Sequence, residues 1–131
     1  MDVKVFVSPS FKQSFPSDKL KPLIEQFRSY KQTGKSPSHF GRDASFDFPS
    51  SVKQAAMSHI HIKDNSSRRW DLKRITYDRT SNTALIYCEG FFNKHCFLLL
   101  GFLEGAHETY QNKPQYLLDL AEISEQFRYQ F

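Results

Sequence analysis

The segment from Met57 to Lys63 reads Met-Ser-His-Ile-His-Ile-Lys. In an extended chain, Ser58, Ile60 and Ile62 face one way and Met57, His59, His61 and Lys63 the other. Histidines two apart on a strand sit on one face, about 6.5–7 Å apart along the chain. Buried sheet faces ordinarily carry aliphatic side chains, so a His-x-His-x-Lys row is either a solvated outer face or a functional one. As metal ligands the pair needs a third, which His107 could supply. The chain has no dense carboxylate or Cys/His cluster, so no metal is expected.

The other chemistry open to such a row is phosphoryl transfer on RNA. The 2′-hydroxyl attacks the adjacent phosphate and leaves a 2′,3′-cyclic phosphate. One group must take the hydroxyl proton, another must protonate the leaving oxygen, and positive charge must meet the transition state. Histidine serves the first two tasks near neutral pH, and arginine the third. His59, His61, Lys63, Arg79, Tyr87, His107 and Tyr110 all fall on or beside the expected sheet. Arg42 and Asp43 either pair within their loop or take part in function. Tyr87, between Ile86 and Cys88, reads equally as a core tyrosine or an active one. Arg68, Arg69, Lys73 and Arg74 form a phosphate-contacting stripe or a solvated strand edge.

These residues need elements to hold them. Val3 to Val7 reads as a short strand. Leu20, Leu23, Ile24, Phe27 and Tyr30 recur at helical spacing, predicting a helix over about Ser17–Thr33 that ends at Gly34. Residues 34–51, rich in Gly, Pro and Ser, read as a long connection, with Phe46 and Phe48 pinning it to the body. Strands are expected at Met57–Lys63, Trp70–Asp78, Ala84–Glu89 and Cys96–Leu103, the last apolar enough to be central. Pro114 opens a final helix with Leu117, Leu120, Ala121, Ser124 and Phe127 on one face. The order predicts one α+β domain over residues 1–131, an antiparallel sheet with an N-terminal and a C-terminal helix packed on it.

The bulk numbers fit that domain. A chain of 131 residues, 39% hydrophobic and 24% charged, supports a single core rather than a disordered tail. A net charge of +4 is compatible with a polyanionic partner and equally with ordinary surface charge. Cys88 and Cys96, lacking any C-x-x-C spacing, read as reduced buried thiols. The start lacks the pattern of a signal peptide, and Cys96–Leu103 is far too short to span a membrane. A soluble, cytoplasmic protein is expected.

The chain resembles the YafO family of type II toxins across nearly its full length. The resembling segments are Phe27-Arg-Ser-Tyr-Lys31, Phe40-Gly-Arg-Asp-Ala44, His59-Ile-His-Ile62, Arg79-Thr80, Leu85-Ile-Tyr-Cys88 and Phe127-Arg-Tyr-Gln-Phe131. The resemblance implies a ribosome-dependent mRNA interferase neutralised by a cognate antitoxin, working on mRNA without metal or small-molecule cofactor. It also implies a fold similar to the RelE toxins, with helices on one sheet face and the RNA site on the other. In that reading His59 or His61 is the general base, His107 the general acid, and Arg79 with Lys63 holds the phosphate. Tyr87 stacks on a base or orients a histidine, and Tyr110 and Arg42 contact RNA. Two rivals stand beside it. One is a non-catalytic toxin of this fold that binds a protein such as gyrase. The other is a plain RNA-binding module, marked by aromatics exposed on the sheet.

Overall fold

The computed structural model describes residues 2–131. Its elements in chain order are β1 (Lys4–Val7), α1 (Pro9–Ser14), α2 (Ser17–Thr33), β2 (Phe40–Ser45), α3 (Ser50–Gln54), β3 (Met57–Ile62), β4 (Thr83–Glu89), β5 (Cys96–Glu104), α4 (Ala106–Asn112) and α5 (Gln115–Gln130). The strands form one sheet in the order β1-β5-β4-β3-β2. Neighbours run antiparallel except β1, which lies parallel to β5. β5 is therefore an interior strand, as its unbroken apolar run requires.

Local chemistry sets the boundaries. The Ser8 hydroxyl accepts the Phe11 amide at the start of α1, with Pro9 in the first turn. α2 ends at Gly34, whose φ of 78° is left-handed and whose amide donates to the Tyr30 carbonyl.

Both sheet faces are covered. α2 lays Leu23 and Phe27 against Ile60, Leu85, Tyr87, Phe97 and Leu99. On the other face, α5 lays Leu117, Leu120, Ala121 and Phe127 against Met57, Ile86, Cys88, Leu98 and Leu100. The expectation of helices on one face only is thus corrected. Cys88 and Cys96 are free and buried, and burial pushes the Cys88 thiol up to about 11.

Two segments differ from the reading of their sequence. Residues 34–51 contain β2 and α3 rather than only a connection. Residues 70–78, expected as a strand, form two 3-10 turns, Trp70–Leu72 and Thr76–Asp78. Their apolar residues do not form a buried row: Leu72, Ile75 and Tyr77 are exposed and only Trp70 is buried. The strand that pairs with β3 on this side is β2, at the sheet edge, and the Arg42 amide donates to the Arg79 carbonyl at 2.8 Å.

Candidate active site

β2 and β3 pair with Ala44 opposite His59, and the register shifts between Phe40 and Asp43. That shift is a bulge, which re-aims side chains beside it. Gly41 lies within it. A Cβ there would meet the Arg79 carbonyl oxygen at 2.2 Å and Trp70 Cη2 at 2.8 Å. Only glycine lets the 70–80 segment close this tightly on the strand. Trp70 Nε1 completes the closure by donating to the Thr80 carbonyl.

On β3, His59 lies opposite Ile86 and His61 opposite Ala84, so both histidines share the α5 face, as the alternation requires. α4 and the 45–48 segment wall off a cavity of about 510 Å³ above them. Arg42, Phe46, Phe48, His59, His61, Ser81, His107 and Tyr110 all line it. His59 stacks on Phe46 at 4.3 Å between ring centres, and the Tyr110 ring meets Phe46 edge-on at 5.6 Å. The two histidine rings are 5.4 Å apart.

The electrostatics differ from one histidine to the next. His59 is pulled down to about 4 by burial first and then by His61. Its Nδ1 is buried with no hydrogen-bond partner, as is the Tyr110 hydroxyl. Buried polar atoms left unpaired are costly and concentrate at working sites. His61 is also lowered, by burial first, while the Ser81 backbone counteracts. Its Nδ1 lies 2.8 Å from the Ser81 amide and 3.0 Å from the Ser81 carbonyl. His107 stands exposed in the first turn of α4, its amide donating to Asn82 Oδ1 at 2.8 Å.

The cation at the cavity is Arg42. Its Nε donates to the Tyr77 carbonyl at 2.7 Å, and its guanidinium lies 3.9 Å from the centre of the Tyr77 ring. Its terminal nitrogens make no hydrogen bond to the described residues and can take a phosphate. Asp43, the next residue, points through the sheet. It accepts from Tyr30 and Tyr87 at 2.7 Å each and from Lys31 at 3.2 Å. This cluster holds the bulge from behind.

Three expected site residues lie elsewhere. Tyr87 pairs with Ser58 and belongs to the α2 face, so the sheet separates it from the histidines. Its hydroxyl serves Asp43 and Lys31, and burial with the Asp43 charge raises its pKa far above the ordinary value. Lys63 lies beyond the end of β3 and lines a neighbouring groove with Asp64 and Asn82. Arg79 does not line the cavity; its Nε donates to the Lys73 carbonyl and ties the turn it sits in. No group of three or more His, Cys, Asp or Glu among the described residues could hold a metal ion.

Residues 28–129 match a family described as "Toxin YafO, type II toxin-antitoxin system". The mRNA interferase toxin YafO of Escherichia coli (strain K12) is 28% identical over 134 residues, covering 98% of this chain and 100% of that protein. No solved structure matches.

Proposed function

The chain belongs to the YafO family of type II toxins, and from that premise we propose that it is an mRNA interferase that cuts message by 2′-hydroxyl attack on the ribosome. A type II toxin has a cognate antitoxin as its partner. The observation that carries the reading is the convergence of His59, His61, His107 and Arg42 on one open cavity.

The roles follow from the surroundings. His61 is the general base. With its proton on Nδ1 it donates to the Ser81 carbonyl, gives up the bond that the Ser81 amide makes to an unprotonated Nδ1, and leaves Nε2 free to accept from the 2′-hydroxyl. The same bond stabilises the imidazolium that forms, as a carbonyl or carboxylate does in other base–orienter pairs. Its lowered pKa keeps it unprotonated at neutral pH. His107 protonates the leaving 5′-oxygen from the exposed rim. Arg42 meets the charge building on the phosphorane-like centre. His59, held neutral against Phe46, shapes the floor and binds substrate. No step needs a metal or a small-molecule cofactor.

The ribosome enters because the site is small and open. Positioning contributes about 7–11 kcal/mol to such a barrier. A cavity of about 510 Å³ on a chain of net charge +4 leaves most of the message unheld. Presentation of an extended message supplies the rest, in the cytoplasm where translation runs. The test is primer extension on one defined message, naked and in translating ribosomes. Ribosome-bound message should be cut readily and naked message poorly. Equal cutting of both overturns the dependence. Full toxicity without His61 and His107 would instead favour a toxin that only binds a protein target.

A further inference from the structure

Phe48 is 82% exposed, yet it lines the histidine cavity. Its sequence neighbours are Asp47 and Pro49, and Asp47 shares the cavity wall. Three other exposed aromatics have partners of their own kind: Phe91 and Phe92 meet at 4.9 Å and share a groove with Tyr129. Such an apolar group suits a protein partner. Phe48 makes no ring contact with the described residues and stands alone on a cavity that Arg42 and three histidines also line.

We propose that Phe48 is a stacking platform for a nucleobase next to the scissile bond, and so helps determine where the message is cut. The inference rests on the reading given under Proposed function. The chemistry asks for such a platform. In-line attack requires the 2′-oxygen, the phosphorus and the 5′-oxygen to align, which stacked RNA does not allow. The two bases flanking the bond must part, and one loses its stacking partner. An aromatic ring at the rim replaces that partner for any base, since every base has a π-face. Phe46 cannot serve, because its ring is 8% exposed and stacked on His59. Tyr77 is 58% exposed, but Arg42 already covers a face of its ring.

The test uses translating ribosomes with a defined message and three proteins: wild type, Phe48→Leu and Phe48→Trp. A second message carries 2-aminopurine beside the cut and a 2′-deoxy sugar at it, so that it binds without being cut. Phe48→Leu should lose roughly 5- to 100-fold in kcat/KM, as loss of one base stack implies. It should also fail to quench 2-aminopurine, whereas Phe48→Trp should keep both properties. The positions cut should redistribute in Phe48→Leu. If wild type cuts and Phe48→Leu cuts at the same positions and rate, the inference is wrong. If Phe48→Leu cuts normally but binds the antitoxin less tightly, Phe48 is a protein contact and the inference is again wrong. If wild type cuts no RNA, the functional reading fails first and takes this one with it.

Discussion

The Nδ1 atom of His61 lies between the two backbone polar groups of a single residue, 2.8 Å from the Ser81 amide nitrogen and 3.0 Å from its carbonyl oxygen. Either neutral tautomer of His61 therefore has a partner. A proton arriving at Nε2 is accommodated by one bond, from Nδ1–H to the Ser81 carbonyl, in place of the bond from the Ser81 amide. The Nδ1 of His59 has no such partner, and burial with the nearby His61 outweighs the Ala44 backbone and the Asp43 charge that favour its protonated form. The two histidines thus divide, one equipped to accept a proton and one to remain neutral.

The first prediction concerns that division. His61→Asn keeps a side-chain oxygen for the Ser81 amide but cannot act as base. Cleavage should fall by about 10²–10⁴-fold with little change in stability. His61→Ala removes the ring that partners the Ser81 carbonyl in one tautomer and the Ser81 amide in the other, and should cost about 1–3 kcal/mol as well. Ribosomal cleavage rates and urea midpoints measure the two effects. An active His61→Asn would remove His61 from the chemistry.

Much of this site could be read in the sequence, and the rest had physical reasons to stay hidden. Strict alternation put His59 and His61 on one face with Met57, and β3 has them there. The α+β class and the positions of β1, α2, β3, β4, β5 and α5 follow from periodicity, and they hold. Tyr87 was misplaced because alternation gives the faces of one strand but not the register between two. Ser58, not His59, turned out to be its partner. β2 was missed because Phe-Gly-Arg-Asp looks like a loop, and its glycine serves a bulge and a close approach. The family resemblance points to Arg79 as a phosphate ligand and to Arg42 as an RNA contact, and it carries no information on which of them reaches the cavity. The turns over residues 70–78 spend Arg79 on the Lys73 carbonyl. Composition alone makes Phe46 and Phe48 equal candidates to pin the segment, and only Phe46 is buried.

The second prediction separates the two arginines. Arg42→Ala should lower cleavage by about 10²–10³-fold, the usual loss when one charge-stabilising donor is removed. Arg79→Ala should mainly loosen the 73–79 turn, at about 1 kcal/mol for the lost hydrogen bond. Its cleavage should fall much less. Single-turnover rates on ribosome-bound message distinguish them, and a larger loss from Arg79→Ala would reverse the assignment.

Gly41→Ala gives the third. The added methyl would collide with the Arg79 carbonyl and the Trp70 ring, and backbone cannot move aside cheaply. A cost of about 1–3 kcal/mol is expected from overpacking. Arg42, the adjacent residue, should shift with it, so cleavage should drop as well. A wild-type urea midpoint with normal cleavage would show that the 70–80 segment is not held at this point.

The fourth concerns pH. The folded His59 sits near 4, below the ordinary histidine value of about 6.5. Between those values the unfolded chain binds more protons at this residue, so stability rises with pH across that window. The contribution is fully present above about pH 6.5 and is lost as pH falls toward 4. After allowance for partial exposure, roughly 2 kcal/mol is expected. Urea unfolding at pH 7 and pH 4.5 should show a smaller difference in His59→Gln than in wild type. Identical differences would mean that His59 does not carry the effect.

The central claim is that this cavity cleaves RNA through the neighbouring 2′-hydroxyl. The most direct measurement is the chemistry of the new ends on a defined message cut in translating ribosomes. The 5′ fragment should carry a 2′,3′-cyclic phosphate and the 3′ fragment a free 5′-hydroxyl. A single 2′-deoxy substitution at the cut should abolish cleavage, and His61→Asn should produce neither fragment. A 3′-hydroxyl with a 5′-phosphate, or unchanged cutting of the deoxy-substituted message, would contradict the account.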